Sequence, residues 1–166
     1  MTSGRGTPGQ AEIRVRPMLE SDIEAVARIG SLSSQTPWTE VSVLTYFLRE
    51  DTIFAVAEEG ENGPLIGFAA LLLAPPESDV LDIVVETACR GRGVGYALLD
   101  GICDLALIKG VDTIFLEVRP SNTPARRLYD KLGFTPIGVR KGYYTDPRED
   151  AVSMVRRRHI ISLHKA

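Results

Sequence analysis

The stretch from residue 80 to residue 118 constrains the fold most. An apolar run, Val80–Val85, leads through Cys89 into Arg90-Gly91-Arg92-Gly93-Val94-Gly95. A helical repeat follows, with Val94, Leu98, Ile102, Leu105 and Ile108 on one face, and Gly110 stops it. Then comes Thr113–Val118, a nearly continuous apolar run of the kind that is covered on both faces. Two strands separated by a helix pair in parallel through a crossover, so the chain must hold an α/β unit. The glycine turn sits where a strand hands over to a helix. There the first N–H groups lack partners and carry partial positive charge, a setting that favours phosphate. Glycine lets backbone approach a pyrophosphate without a Cβ between them, and Arg90 and Arg92 can add charge-assisted contacts. A plain tight turn before a helix is the alternative.

The flanks supply the remaining elements. Glu12–Arg16 alternates like a half-buried strand. Ser21-Asp22 is placed to cap a helix bearing Ile23, Val26, Ala27 and Ile29. Thr39, in Pro37-Trp38-Thr39-Glu40, is placed to cap a second helix with Val43, Leu44, Phe47 and Leu48 on its apolar side. Thr52–Glu58 and Leu65–Leu73 read as a hairpin around Gly60–Pro64, and Pro75-Pro76 ends its second strand. Thr123 is placed to cap a short helix, with Pro124 at its first position, that ends at Gly133. Phe134–Val139 and Ala151–Val155 are the last strands, joined by a long loop of Gly, Tyr, Asp and Pro. The order is β-α-α-β-β-β-α-β-α-β-β, an α/β mixture with an α+β-like mixed sheet and one parallel crossover. We expect one domain over 12–158, a disordered tail at 1–11 and a short tail at 159–166.

Composition narrows the function classes. The net charge is −3, so no basic face for direct nucleic-acid binding is expected. No run of about 18 apolar residues exists for a membrane helix, and the first ten residues lack the apolar core of a secretory signal. Cys89 and Cys103 are not spaced as metal ligands, and His159 and His164 add no pattern, so no metal is expected. These features point to a reducing cytoplasm. Arg156-Arg157-Arg158 reads as a solvated terminus.

The glycine turn is not a P-loop, because Gly93-Val94-Gly95-Tyr96 stands where Gly-Lys-Ser/Thr is needed. It is not a G-x-G-x-x-G dinucleotide turn, since the sixth residue is Tyr96 from Gly91 and Leu98 from Gly93. Arg90, Gly93 and Gly95 do match R/Q-x-x-G-x-G/A, the acetyl-CoA signature. Downstream lie Leu116-Glu117-Val118-Arg119, Ser121-Asn122, Ala125, Leu128-Tyr129 and Leu132-Gly133-Phe134. With Pro37-Trp38-Thr39-Glu40, Tyr143-Tyr144 and Glu149-Asp150-Ala151 before Met154, these residues resemble the Gcn5-related N-acetyltransferase (GNAT) superfamily. The RimI group of protein N-terminal acetyltransferases is the nearest match, over roughly residues 12–156.

The resemblance implies the GNAT acyl-CoA acyltransferase fold, acetyl-CoA as co-substrate and direct transfer in a ternary complex. It implies a protein N-terminal α-amine as acceptor, usually the alanine of small-subunit ribosomal protein eighteen. By position, backbone at Ile83, Val84 and Val85 matches the pantetheine contacts, and Gly91 through Tyr96 match the pyrophosphate cradle opened by Arg90. Asn122 matches a further acetyl-CoA contact, Glu117 the general base and Tyr129 the general acid. Trp38, Tyr143 and Tyr144 fall where the family walls its peptide slot, and they also suit plain packing. The chemistry fits these residue types. An α-ammonium must lose a proton before it attacks, a carboxylate can take it, and a phenol can serve the leaving thiolate. The apolar run around Glu117 leads us to expect partial desolvation and a raised pKa. Three positions depart from the bacterial RimI pattern: Arg90 replaces the commoner Gln, Tyr96 a basic residue and Gly142 an Asn. Acetylation of a small amine or a lysine, or a non-catalytic acetyl-CoA-binding role, remain the alternatives.

Overall fold

The computed structural model describes residues 11–33 and 36–158. Except for Ala11, the tails expected at 1–11 and 159–166 lie outside the described residues. The elements are β1 (Ile13–Pro17), α1 (Ile23–Gly30), α2 (Glu40–Phe47), β2 (Thr52–Glu59), β3 (Leu65–Ala74) and β4 (Glu77–Val85). They continue with α3 (Val94–Ile108), β5 (Thr113–Val118), α4 (Thr123–Lys131), β6 (Thr135–Thr145) and β7 (Arg148–Arg157). This is the order expected from the sequence, with short 3-10 turns added at Glu20–Asp22 and Thr87–Cys89. The strands form one sheet in the order β1-β2-β3-β4-β5-β7-β6, antiparallel except at β4–β5.

Layering follows from the apolar patterns. β3 is apolar almost throughout and buried on both faces because helices cover both sides. On one side Leu98, Leu99, Ile102 and Ala106 of α3 pack on Ile66, Ala69, Leu71, Ile114 and Leu116. On the other, Val26 and Ile29 of α1 and Val43 of α2 pack on Phe54, Val56, Phe68 and Val84. Gly101 lets α3 press against β1, since a Cβ there would lie 2.8 Å from Val15 Cγ1.

Several local expectations change. Thr39 caps α2, its Oγ1 accepting Ser42 N–H at 3.1 Å. Asp22 does not cap α1 with its side chain; its carboxylate turns back to accept from Leu19 N–H at 2.8 Å and from Arg16. The cap of α4 is Asn122 rather than Thr123, with Asn122 Oδ1 accepting from Ala125 N–H at 3.3 Å. Leu44, Leu48 and Ile108 face solvent, because α2 seats only a narrow stripe and Ile108 lies at the last turn of α3. β5 buries Ile114, Leu116 and Val118 but leaves Thr113, Phe115 and Glu117 half-buried, since no helix covers that end of the second face. The long loop expected around residues 140–150 is strand: β6 and β7 pair to Thr145↔Arg148, with irregularities at Pro136/Gly138 and Arg140/Tyr144.

Candidate active site

The parallel pair β4–β5 is short. Glu77, Ser78 and Asp79 lie opposite Thr113, Ile114 and Phe115, and pairing stops there. From Val80 and Leu116 onward the strands separate and leave a gap in the middle of the sheet. Glu86 N–H donates to Ile66 C=O at 2.9 Å, so alternation turns the peptide groups of Val84 and Asp82 toward β3. Those of Ile83 and Val85 turn the other way, into the gap. Asp82 Oδ1 accepts from Ile83 N–H at 2.9 Å. The Val84 side chain is buried under α1 and α2.

The glycine turn closes one end of the gap. Gly91 (φ +75°) and Gly93 (φ +82°) adopt left-handed conformations, and a Cβ on either would meet only open space. Gly93 is the N-cap of α3 and supplies no side-chain bond. The first helical hydrogen bond runs from Ala97 N–H to Gly93 C=O at 3.0 Å, so the N–H groups of Val94, Gly95 and Tyr96 have no acceptor within the helix. No acidic residue lies in that first turn. Open space, free donors and a helix N-terminus together fit a pyrophosphate. Gly95 serves packing instead: a Cβ there would lie 3.3 Å from Leu128 Cδ2, where α4 meets α3. Arg90 is exposed, whereas Arg92 is drawn to Glu59 at 3.2 Å. Tyr96 is 43% exposed.

Glu117 stands on the opposite lip, on β5. Its side chain is 20% exposed, and two polar groups grip it. Ser153 Oγ on β7 donates to Oε2 at 2.5 Å, and Arg140 Nε on β6 lies 3.3 Å from Oε1. The apolar enclosure expected from the surrounding run is therefore absent. That run buries its alternate residues on the α3 side, while Glu117 points to the uncovered face. Arg140 also lies over the Tyr143 ring at 5.8 Å. Tyr143 is 46% exposed and Tyr144 is buried, with their rings edge-on at 4.9 Å. Arg119 stacks on Tyr144 at 4.2 Å. It also donates to Pro147 C=O at 2.8 Å and pairs with Glu149 at 3.4 Å, which anchors the hairpin to the end of β5.

Tyr129 comes from α4 and packs against Phe134 at 5.8 Å. Burial pushes its phenol up to about 12, and the charges of Asp82 and Tyr144 add to the shift. The Asp82 carboxylate is thus felt at the phenol. Asp82 Oδ2 accepts from Trp38 Nε1 at 2.9 Å and from Ser33 Oγ at 2.7 Å. The Trp38 ring sits edge-on among Tyr46, Phe54 and Phe68, so its indole is held by packing and by Asp82. Asp82, Ser153 and Arg140 escaped the sequence reading. Ser153 and Arg140 reach Glu117 only through the β5–β7–β6 register, and Asp82 meets Ser33 and Trp38 only across 49 and 44 residues of sequence, so neither signal is local.

The sequence model of the acetyltransferase (GNAT) family matches residues 22–134. The chain belongs to the GNAT acetyltransferase family. The [ribosomal protein bS18]-alanine N-acetyltransferase of Escherichia coli (strain K12) is 33% identical to this GNAT acetyltransferase over 136 residues, 81% of this chain and 90% of that one. A Bacillus subtilis (strain 168) protein, named provisionally for the same activity, is 34% identical over 140 residues, 84% and 92% of the two chains. The crystal structure of the Escherichia coli S18-alanine enzyme superposes with a TM-score of 0.78 at 29% identity, covering 93% of this chain and 99% of that one. The GNAT chain thus brings Ile83, Val85 and the 91–96 turn to one side of the gap and Glu117 to the other. Asn122 lies at the start of α4 with Oδ1 committed to the cap, and its amide nitrogen remains available as a donor. Among the described residues, no helix is long and apolar enough to cross a membrane.

Proposed function

We propose that this enzyme acetylates the α-amino group of a protein N-terminus, with the N-terminal alanine of ribosomal protein bS18 as the acceptor, in the cytoplasm. One observation carries the reading: a gap in the sheet with an anion cradle at one end and a carboxylate, Glu117, on the opposing strand. The relative that acts on bS18 matches the chain across both lips of that gap.

Acetyl-CoA, when bound, supplies an acetyl group activated as a thioester. The N–H groups of Val94, Gly95 and Tyr96 hold the pyrophosphate, with Gly91 and Gly93 clearing space and Arg90 adding charge. The Ile83 carbonyl and the Val85 peptide groups hold the pantetheine arm, and the Asn122 amide adds a donor. Glu117 takes the proton that the acceptor ammonium must lose. Ser153 and Arg140 fix the direction in which its carboxylate points. The Tyr129 phenol, pushed up to about 12, keeps its proton at neutral pH. A thiol titrates near 8.5, so complete transfer from this phenol to a thiolate is uphill by roughly 5 kcal/mol. Tyr129 therefore acts as a hydrogen-bond donor to the departing sulfur, and solvent completes the protonation. Tyr143 on the hairpin and the Trp38 segment after α1 flank the acceptor's approach.

The test is CoA release from acetyl-CoA with peptides bearing the bS18 N-terminus, each with a free or a blocked α-amine. Release that requires the free α-amine supports the reading. Release only with lysine side chains or small amines overturns the acceptor, and binding of acetyl-CoA without any release overturns catalysis.

A further inference from the structure

Each of the two strands that border the gap carries a carboxylate, and their surroundings differ. Glu117 on β5 has a cation, Arg140, at 3.3 Å. Asp82 on β4 is held by three neutral donors: Ser33 Oγ at 2.7 Å, Trp38 Nε1 at 2.9 Å and Ile83 N–H at 2.9 Å. Among the described residues, no Lys, Arg or His side chain forms an ion pair with it. A half-buried carboxylate without a counter-charge is costly. An asparagine would keep the Trp38 and Ser33 hydrogen bonds through its oxygen but would set its NH2 against Ile83 N–H, so the three donors hold a carboxylate in place and leave its charge uncompensated. The donors also aim it. A carboxylate offers about four acceptor sites, and three are taken, which leaves one on Oδ1. The side chain is kept from swinging to solvent, and its charge is felt at the Tyr129 phenol.

We infer that Asp82 receives the positive charge of the acceptor's α-ammonium group and is a substrate-binding residue that sets specificity for a charged N-terminus. The inference rests on the N-terminal acceptor proposed above. An incoming ammonium meets a competitor at Glu117, where Arg140 already sits, and none at Asp82. The two carboxylates divide the work: Asp82 draws in and orients the ammonium, and Glu117 accepts the proton. Trp38, whose indole N–H is bonded to the same carboxylate, sets the angle at which the N-terminus arrives.

The experiment uses the full chain with saturating acetyl-CoA and an alanine-first peptide, alongside the same peptide with lactate in place of alanine, which carries a hydroxyl instead of the ammonium. Wild-type enzyme loaded with CoA should bind the ammonium peptide at least tenfold more tightly than the hydroxyl peptide by calorimetry. Asp82→Asn should erase that preference and raise the peptide KM at least tenfold, with kcat changed less than threefold and the acetyl-CoA KM unmoved. Ser33→Ala, which keeps the charge and removes one donor, should leave the peptide KM within threefold. Equal binding of both peptides by the wild type overturns the inference, as does an unchanged KM in Asp82→Asn. So does a Ser33→Ala rise matching that of Asp82→Asn, which would mark a purely structural carboxylate. Failure of the wild type to acetylate any free N-terminus overturns the acceptor reading and this inference together, whereas an active wild type with an indifferent Asp82 overturns this inference alone.

Discussion

Ser153 Oγ and Glu117 Oε2 meet at 2.5 Å across directly paired positions of β7 and β5. The hydroxyl fixes one carboxylate oxygen while Arg140 holds the other. Glu117→Gln removes the proton acceptor and should lower kcat at least tenfold, about 1.4 kcal/mol of barrier. Ser153→Ala frees the carboxylate to turn, and kcat should fall roughly three- to tenfold, about 0.6–1.4 kcal/mol. Steady-state CoA release at saturating acetyl-CoA measures both, and an Ser153→Ala enzyme with wild-type kcat would remove the serine from the mechanism.

The Tyr129 phenol carries a pH signature in stability as well as in rate. Its pKa is raised from 10.0 to about 12 by burial, with the Asp82 and Tyr144 charges adding to it. The stabilising contribution is therefore complete below pH 10, and it is lost as pH rises from there through 12. Thermal melts between pH 9 and 11 should show Tm falling less steeply in Tyr129→Phe than in the wild type. The same variant should lose kcat at neutral pH while its acetyl-CoA KM stays close to normal.

Gly93 and Gly110 offer a matched comparison, with φ of +82° and +84°. Alanine at either position is strained by about 1–2 kcal/mol, which corresponds to roughly 2–8 °C in Tm for a chain of this size. Both variants should lose similar stability. Only Gly93→Ala, at the mouth of α3, should also raise the acetyl-CoA KM, by at least fivefold. An equal KM effect from Gly110→Ala would mean that the turn acts through general stability alone.

Asp22 joins β1 to the start of α1. It accepts from Arg16 at 2.7 Å and from Leu19 N–H at 2.8 Å, and Arg16 also reaches Glu58 at 3.2 Å. Burial alone pushes the Asp22 carboxyl up, but the Arg16 and Leu19 hydrogen bonds outweigh it and hold the pKa below 3.8. Its contribution is present above that value and lost as pH falls through the lowered pKa. Asp22→Asn should therefore lower Tm at pH 7, and the difference from the wild type should shrink as melts are taken below pH 3.8. A difference that persists unchanged into strong acid would point to packing instead.

Element order and the position of the glycine turn were readable because both rest on local signals: apolar periodicity, left-handed glycines and chain-stopping prolines. The environment of single side chains was not. Glu117 lies in an apolar run, which suggested desolvation, yet the pleat sends it to the one face without a helix. Arg92 looked like a phosphate ligand until the fold brought Glu59 beside it from a strand 33 residues away. Asn122 displaced Thr123 as a cap because either side chain can fill that role, and backbone geometry chooses between them. The β6–β7 hairpin hid behind Gly142, since a bulge lets a strand carry a residue that reads as loop, and behind Pro147, which lies in the tight turn between the strands.

The gap between β4 and β5 has a consequence for how such a chain can diversify. At its β4 lip the groups turned inward are those of the main chain, the peptide units of Ile83 and Val85, while their side chains pack into the α3 core. On the proposed reading, the grip on the acetyl donor is thus written in backbone, which every amino acid shares. The side chains of Arg140 and Tyr143, which border the acceptor from β6, are free to change without loosening that grip. A lineage built on this frame can exchange one acceptor for another by a few substitutions while inheriting its donor intact.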